Sequence, residues 1–235
     1  MQQNILARGR SLDLQGYFAR IYNYMAGGLL MSALCAWLSV RPPLFELFYK
    51  TSEQGVTYSL LGWISIFAPL IVIFLIGHAI NKLNIQQAKL YFWLFSALMG
   101  ISMGNIFLLF SGAAIFQAFL VTAGSFLGLS LYGYTTKRDL SSIGSFLIMG
   151  LIGVVIASLV NIFIRSEQFN FILNIISVFI FVGLTAYDTN KLRAAYNASD
   201  SDEVAHGKAI YGALNLYLDF INLFRLILYF LNNRK

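Results

Sequence analysis

Long apolar runs separated by short charged segments dominate the chain. Charge-free runs lie between Arg20 and Arg41, Glu53 and Lys82, Lys89 and Lys137, Asp139 and Arg165, and Glu167 and Asp188. About 20 helical residues rise about 30 Å, which is the thickness of the hydrocarbon core of a bilayer. The run after Lys89 is about twice that length and breaks at Ser111-Gly112, so we divide it into two spans. The pattern predicts seven membrane spans, at residues 21–40, 58–81, 90–110, 114–136, 141–164, 169–190 and 208–231.

These spans are predicted to be α-helices, because lipid offers no hydrogen bonds to an unpaired backbone and no segment shows the alternation of a barrel strand. The fold class is therefore an all-α membrane protein with seven transmembrane helices. We expect a cytoplasmic amino-terminal segment at residues 1–20 and one seven-helix transmembrane domain at residues 21–231. The longest hydrophilic connection, residues 191–207, is too short for a separate folded domain.

Composition supports the membrane assignment, with 58% hydrophobic residues, 11% charged residues and a mean hydropathy of +0.71. Ten lysines and arginines lie on one side of the predicted spans and five on the other. The positive-inside rule then predicts a cytoplasmic amino terminus and an external carboxyl terminus. This topology accounts for the net charge of +6, so we expect no nucleic-acid partner and membrane lipid as the surroundings. The single cysteine, Cys35, excludes an internal disulfide.

Small residues recur at the spacing that lets two helices approach closely. The pairs are Gly100 with Gly104, Gly124 with Gly128, and Gly153 with Ala157. We expect all three pairs to pack against other spans of the same chain, and the alternative is an interface between two copies of the chain.

Asp188 and Asp219 are the only acids within their apolar stretches. A carboxylate at membrane depth costs about 3 kcal/mol on insertion scales, so such residues usually face protein or water and serve a function. Each belongs to a polar stripe at helical spacing, and the stripes are Asn174, Ser177, Thr185 and Asp188 in the sixth span and Gly212, Asn215, Asp219 and Asn222 in the seventh.

The two aspartates are predicted to meet. Counted from the outer ends of their spans, they lie about 28 and 20 Å deep, and because helical side chains tilt toward the amino terminus, they lean toward each other. Two carboxylates that meet in a low dielectric cannot both ionise readily, so we expect the pair to share a proton and to sense pH. The alternative is that each aspartate binds a separate polar partner as a packing contact. The polar residues expected to support the pair are Tyr187, Asn215, Asn222 and Arg225.

Three segments resemble the Bax inhibitor-1 family of membrane proteins. They are Tyr187-Asp188-Thr189 near the end of the sixth span, the stretch 207–224 containing Leu216-Tyr217-Leu218-Asp219-Phe220, and the connection 131–140. The resemblance covers most of the chain and is strongest after residue 124. It implies two three-helix layers around a central carboxyl-terminal helix, in the plasma (inner) membrane of a bacterium. It also implies a pH-regulated calcium leak governed by Asp188 and Asp219, with calcium as the permeant ion and no cofactor. Where many relatives have an arginine ten residues after the second aspartate, this chain has Tyr229, and Arg225 comes earlier.

Two other functions remain open at this point. A diaspartyl intramembrane protease would also place aspartates in its sixth and seventh spans, but the bulky Leu216-Tyr217-Leu218 replaces the Gly-x-Gly that precedes the second aspartate in those enzymes. A non-conducting regulatory or interaction protein is the third possibility. We expect no enzyme activity, because the chain lacks a nucleophile-and-base order, a phosphate-binding glycine loop and His/Cys metal spacing. The acids Asp200, Asp202 and Glu203, with His206, are expected to form a hydrated loop.

Overall fold

The computed structural model describes the backbone of residues 2–52 and 55–232, and the side chains of residues 13–52 and 55–232. Helices dominate this part of the chain. In chain order the elements are α1 Gln2–Ser39, α2 Phe45–Phe48, β1 Tyr49–Ser52, β2 Gly55–Tyr58, α3 Leu60–Asn81, α4 Ile85–Ser102, α5 Asn105–Leu109, α6 Gly112–Thr135, α7 Ser141–Ile164, α8 Glu167–Ala195 and α9 Asp202–Asn232.

Seven segments in the described part of the chain are long and apolar enough to cross a membrane. They are Asp13–Ser39, Leu60–Asn81, Ile85–Leu109, Gly112–Thr135, Ser141–Ile164, Glu167–Ala195 and Asp202–Asn232. The predicted fold class, an all-α protein with seven transmembrane helices, is confirmed. The arrangement in two three-helix layers stays a prediction, as does the division at residue 20. Arg8, Arg10, Arg234 and Lys235, which enter the predicted topology, lie outside the described side chains.

Three features of the first three spans differ from the sequence prediction. The first helix runs without a break from Gln2, so residues 2–20 continue the first span as helix. The third span is interrupted at Met103 and Gly104, which separate α4 from α5. A short antiparallel hairpin pairs Tyr49 with Tyr58 between the first two spans. The two strands pair their backbone N–H and C=O groups with each other. Lipid could not supply these hydrogen bonds, so the hairpin lies outside the spans.

Tyr49 connects this hairpin to the neighbouring helical turn. Its ring stacks on Phe45 at a centroid distance of 5.4 Å and lies 5.4 Å from the ring of Tyr58. The side chain is only 3% exposed, and burial raises the pKa of Tyr49 to about 12. The hydroxyl therefore stays protonated at physiological pH.

Tertiary contacts divide the chain into two compact units. The first comprises the described part of Met1–Gly112 together with Tyr196–Tyr217, and within it α4 packs against both α1 and α3. Ser32 lies at the centre of this packing, and its Oγ is 2.6 Å from the Ser96 carbonyl oxygen and 2.7 Å from the Tyr217 hydroxyl. The ring of Tyr217 also contacts Phe95 edge-on at 5.4 Å. The first half of α9 is thus part of the core of this unit.

The second unit comprises Ala113–Ala195 and the described part of Leu218–Lys235. Within it α7 packs against α8. Phe220 on the second half of α9 contacts Phe126 and Phe119 of α6, with ring centroids 5.5 and 5.8 Å apart. Both compact units therefore include part of the same helix, α9.

The packing of the small residues is confirmed at Gly100 and Gly104 and is wrong for the other glycines. A Cβ on Gly100 would overlap the Ser32 carbonyl oxygen, and one on Gly104 would overlap the Ser39 hydroxyl. Around Gly124, Gly128 and Gly153, by contrast, an added Cβ would meet no described atom within 4 Å. These three glycines are exposed. The prediction was wrong for them because hydropathy does not distinguish a lipid-facing surface from a protein-facing one.

We therefore expect opposite effects of alanine at Gly100 and Gly124. Gly100→Ala should lower the free energy of unfolding by about 2 kcal/mol, because the added methyl group overlaps backbone that cannot move aside cheaply. Gly124→Ala, the matched control, should leave it unchanged or raise it by up to about 1 kcal/mol, since alanine favours the helix. Thermal unfolding of the purified variants in detergent measures both changes in stability. Equal destabilisation by the two substitutions would contradict the packing described here.

Candidate functional site

The two predicted aspartates lie in the same compact unit, Asp188 on α8 and Asp219 on α9. Their carboxyl groups interact directly, through a hydrogen bond and through charge. Asp219 is only 5% exposed, and Asp188 is half-buried. The sequence prediction that α8 and α9 bring these two acids together is consistent with this geometry.

One oxygen of the pair is left without a partner in the described structure. Asp219 Oδ2 is buried and accepts no hydrogen bond from the residues described. An unsatisfied buried carboxyl oxygen is unfavourable, and such groups in native proteins often mark functional positions. The site therefore retains a free oxygen that can take a proton or contact a cation.

Lys191 is a member of the site that the sequence reasoning missed. It lies three residues after Asp188 on α8, and its charge acts on the Asp188 carboxyl group. The side chain is exposed, and its Nζ also lies 5.7 Å from the centroid of the Tyr187 ring. The signal was present in the sequence, because residues three apart on a helix are neighbours on its surface.

The predicted supporting residues take different positions. Tyr187 packs its ring against Gly144 of α7, where a Cβ would overlap the ring. Asn215 and Asn222 are half-buried on α9, one turn to either side of Asp219. Arg225 is exposed, whereas Asp219 is buried, so the arginine lies on a different face of α9.

Most hydroxyl groups of the α8 stripe bond to their own helix. Ser177 donates to the Leu173 carbonyl oxygen at 2.7 Å, and Thr185 donates to that of Phe181 at 2.8 Å. These bonds satisfy both hydroxyl groups within α8, so neither needs a partner on α9.

A second polar contact fixes α8 against the end of α6. Ser130 Oγ lies 3.1 Å from Thr189 Oγ1, one residue after Asp188. Arg193 Nη1 donates to the carbonyl oxygens of Tyr134 and Thr136, at 2.7 and 3.1 Å. The arginine thereby satisfies carbonyl groups at the carboxyl end of α6, which a helix terminus would otherwise leave unpaired. The segment of α8 that directly follows Asp188 is therefore held against the end of α6.

The oxygen atoms of the site are of the kind that hard cations prefer as ligands. Carboxylate and amide oxygens, from Asp188, Asp219 and Asn222, are the ligands that calcium prefers. Among the described side chains, no three His, Cys, Asp or Glu residues come together in a group that could hold a metal ion. The prediction of a loop at Asp200, Asp202, Glu203 and His206 holds only for Asp200, which forms an ion pair with Lys208 at 2.6 Å. It is wrong for the other three residues, because α9 begins at Asp202 and contains them.

The chain is similar over nearly its whole length to known membrane proteins. The family model described as inhibitor of apoptosis-promoting Bax1 matches residues 14–235. The inner membrane protein YbhL of Escherichia coli is 42% identical over 225 residues, covering 94% of this chain and 93% of the relative. The uncharacterized protein RP147 of Rickettsia prowazekii is 39% identical over 223 residues, covering 94% and 91%. An uncharacterized membrane protein of Streptococcus pyogenes serotype M1 is 35% identical over 224 residues, covering 95% of each chain.

The contact between the two acids leads to a stability prediction. At pH 8 we expect Asp219→Asn to unfold at a higher temperature than the wild type, because the amide removes repulsion between two carboxylates. A gain of about 1 kcal/mol corresponds to roughly 2–4 °C for a chain of this size. The difference should shrink at pH 5, where a shared proton already removes the repulsion.

Thermal unfolding of the purified protein in detergent measures this difference. Asp139→Asn is the control, because Asp139 is exposed and accepts a hydrogen bond from the Ser141 amide that asparagine can also accept. Hydrogen bonds from Ser141 hold the pKa of Asp139 below its usual value, so this carboxylate stays charged at both pH values. If Asp219 instead bound a separate cationic group or hydrogen-bond donor as a packing contact, Asp219→Asn would lower the unfolding temperature at pH 8.

Proposed function

This chain belongs to the Bax inhibitor family of membrane proteins, and from that premise we propose that it is a pH-sensitive calcium leak gated by Asp188 and Asp219. The observation that carries the proposal is the direct interaction of these two carboxyl groups, with one buried oxygen left unpaired. We place the protein in the bacterial inner membrane with its amino terminus in the cytoplasm and its carboxyl terminus outside, with membrane lipid and calcium as its partners.

The charge of the site supports a cation as the permeant species. Two acids interact at this position in the spans, and the positive charge that acts on Asp188 comes from Lys191, which is exposed. Ion pathways lined by carboxyl groups favour cations, and selectivity follows from the ligands that replace the hydration shell. Among common cations, calcium matches a site made of oxygen ligands.

The small number of oxygen ligands at the site supports the passage of calcium rather than its tight binding. Tight calcium sites take six to eight oxygen ligands, whereas the aspartate pair with its flanking asparagines supplies only part of such a shell. Conduction requires an ion to bind strongly enough to enter and weakly enough to leave. We propose a conduit without a chemical step, and therefore a protein that is not an enzyme.

Protonation supplies the gate in this proposal. Two neighbouring carboxyl groups in a low dielectric titrate as one unit, so the charge of the site changes over a narrow pH range. When the pair carries one proton, a hydrogen bond replaces repulsion between α8 and α9. When both protons leave, the site gains attraction for a cation and loses that bond.

Reconstituted protein should therefore pass calcium without a nucleotide or a coupling ion. The measurement is calcium entry into liposomes that contain purified protein and a calcium-sensitive dye, with empty liposomes as the control. Equal entry into the two preparations would contradict the proposal. Cleavage of added transmembrane peptides by the same protein would instead favour the diaspartyl protease.

Calcium entry should also depend on pH, with a midpoint between about 5 and 8, well above the value near 3.9 for an isolated aspartate. Asp188→Asn and Asp219→Asn should each flatten this dependence, and the double variant should resemble either single one, because the two groups act as a unit. Asp139→Asn is the matched control and should keep the wild-type profile. An unchanged pH profile in Asp219→Asn, or additive effects of the two substitutions, would contradict gating by a coupled pair.

A further inference from the structure

A groove of about 460 Å³ opens on the first compact unit, and neither aspartate of the pair lines it. Three helices contribute to it, namely α1, α4 and the beginning of α9. Its polar and aromatic lining consists of Arg20, Asn23, Tyr24, Trp93 and His206. None of the described lining residues is acidic, so the groove presents positive charge and hydrogen-bond donors.

Arg20 and His206 form the polar centre of the groove. Arg20 Nη1 lies 3.0 Å from His206 Nδ1, which is also 2.9 Å from the backbone carbonyl oxygen of Asp202. One ring nitrogen cannot both accept from the guanidinium and donate to the carbonyl. When Nδ1 accepts from Arg20, the ring carries its proton on Nε2. When Nδ1 carries the proton, it donates to the Asp202 carbonyl oxygen and accepts no hydrogen bond from Arg20.

Both states of the histidine leave donors for an anion. Arg20 retains guanidinium N–H groups beyond the one that contacts His206, whichever ring nitrogen of His206 carries the proton. The acidic side chain whose charge interacts with His206 is Glu203, which is exposed on α9 and does not line the groove. An entering anion would therefore meet the arginine and the histidine first.

The aromatic wall of the groove matches the region where a membrane meets water. Tyr24 and Trp93 face each other with ring centroids 6.4 Å apart, and both are half-buried. Tyrosine and tryptophan concentrate at lipid headgroup level, where the ring contacts apolar chains and the polar atom contacts water. Arg20 lies near the start of the first span, Asp13–Ser39, which places it at such a boundary.

Small residues leave the groove open. Gly16 and Ala19 line it from α1 and are exposed. A Cβ added to Gly16 would meet no described atom within 4 Å. A larger side chain at position 16 can therefore enter the groove without displacing its walls.

We propose that this groove is a binding site for a phosphate group, with Arg20 as its main ligand, His206 positioning the arginine, and Tyr24 with Trp93 contacting the attached apolar chain. Guanidinium groups bind phosphate oxygens in a bidentate geometry that lysine cannot reproduce. Basic pockets between transmembrane helices are known to take lipid headgroups. The same chemistry would accept an anionic phospholipid or free phosphate, and the proposal does not depend on calcium passage.

Native mass spectrometry of the full-length protein in detergent tests the site and identifies the source of the phosphate. Three probes are titrated separately, namely phosphatidylglycerol, phosphatidylcholine and inorganic phosphate. Phosphatidylglycerol should bind more tightly than phosphatidylcholine, whose choline charge opposes Arg20. Inorganic phosphate is then added to the complex with phosphatidylglycerol. Displacement of the lipid would show that the site takes the phosphate group from either source, whereas retention would identify the lipid as the ligand.

Four variants separate the groove from general surface charge. Arg20→Ala should weaken phosphatidylglycerol binding by about tenfold or more, the loss expected for a charge-assisted bidentate contact. Arg20→Lys should give an intermediate loss. Gly16→Leu keeps every proposed ligand and fills the groove, so it should weaken binding as well. Arg41→Ala is the matched control, because Arg41 is exposed and lies 4.9 Å above the Trp37 ring but does not line the groove. It should change binding by less than about threefold.

The outcomes separate clearly. Losses in Arg20→Ala and Gly16→Leu that exceed the loss in Arg41→Ala support the site. If Arg20→Ala does not fold, Gly16→Leu with wild-type thermal stability still decides the question. Equal binding by Gly16→Leu, Arg41→Ala and the wild type would overturn the proposal, as would equal and variant-independent binding of all three probes.

Discussion

The structure depends on the requirement that polar groups inside an apolar medium find partners within the protein. The backbone meets this requirement by forming helices wherever the chain crosses the membrane. Hydroxyl groups meet it by bonding back to their own helix, as Thr122 does to Ala118 and Ser96 does to Phe92. A carboxyl group that has lost its proton has no donor and cannot use this solution. Asp188 and Asp219 therefore need a donor on another helix, and each can supply it for the other only when one of the two carboxyl groups keeps its proton.

The number of spans and their approximate positions could be predicted from the sequence, because both depend on local quantities. Charge-free length and helical rise determine where a helix can cross the membrane, and both can be counted along the chain. The break at Met103 and Gly104 could not be predicted in this way. Gly104 lies against Ser39, a contact between residues far apart in the chain. The hairpin at Tyr49–Tyr58 was also missed, because its four-residue strands are too short to show a clear alternation.

The aspartate pair was predictable for the same reason, since its depth follows from residue counting and its tilt from the direction of the Cα–Cβ bond. The rest of the site depends on which face of each helix meets protein. Lipid and a protein core are equally apolar, so the sequence does not distinguish the exposed Gly124 from the packed Gly100. Tyr187 illustrates the same limit. The sequence places it next to Asp188, but only the structure shows that its ring packs against Gly144 of α7.

Helix α9 contributes to both compact units, and this has a consequence for the order in which the protein can assemble. Its residues through Tyr217 belong to one unit, and those from Leu218 onward belong to the other. A ribosome makes this helix after every other described helix, at about 5–20 residues per second. Until it emerges, Ser32 lacks the Tyr217 hydroxyl, Phe126 lacks Phe220, and Asp188 lies in the membrane without its acidic partner. Neither core can therefore be completed until α9, the last of the seven spans, has been synthesised and inserted.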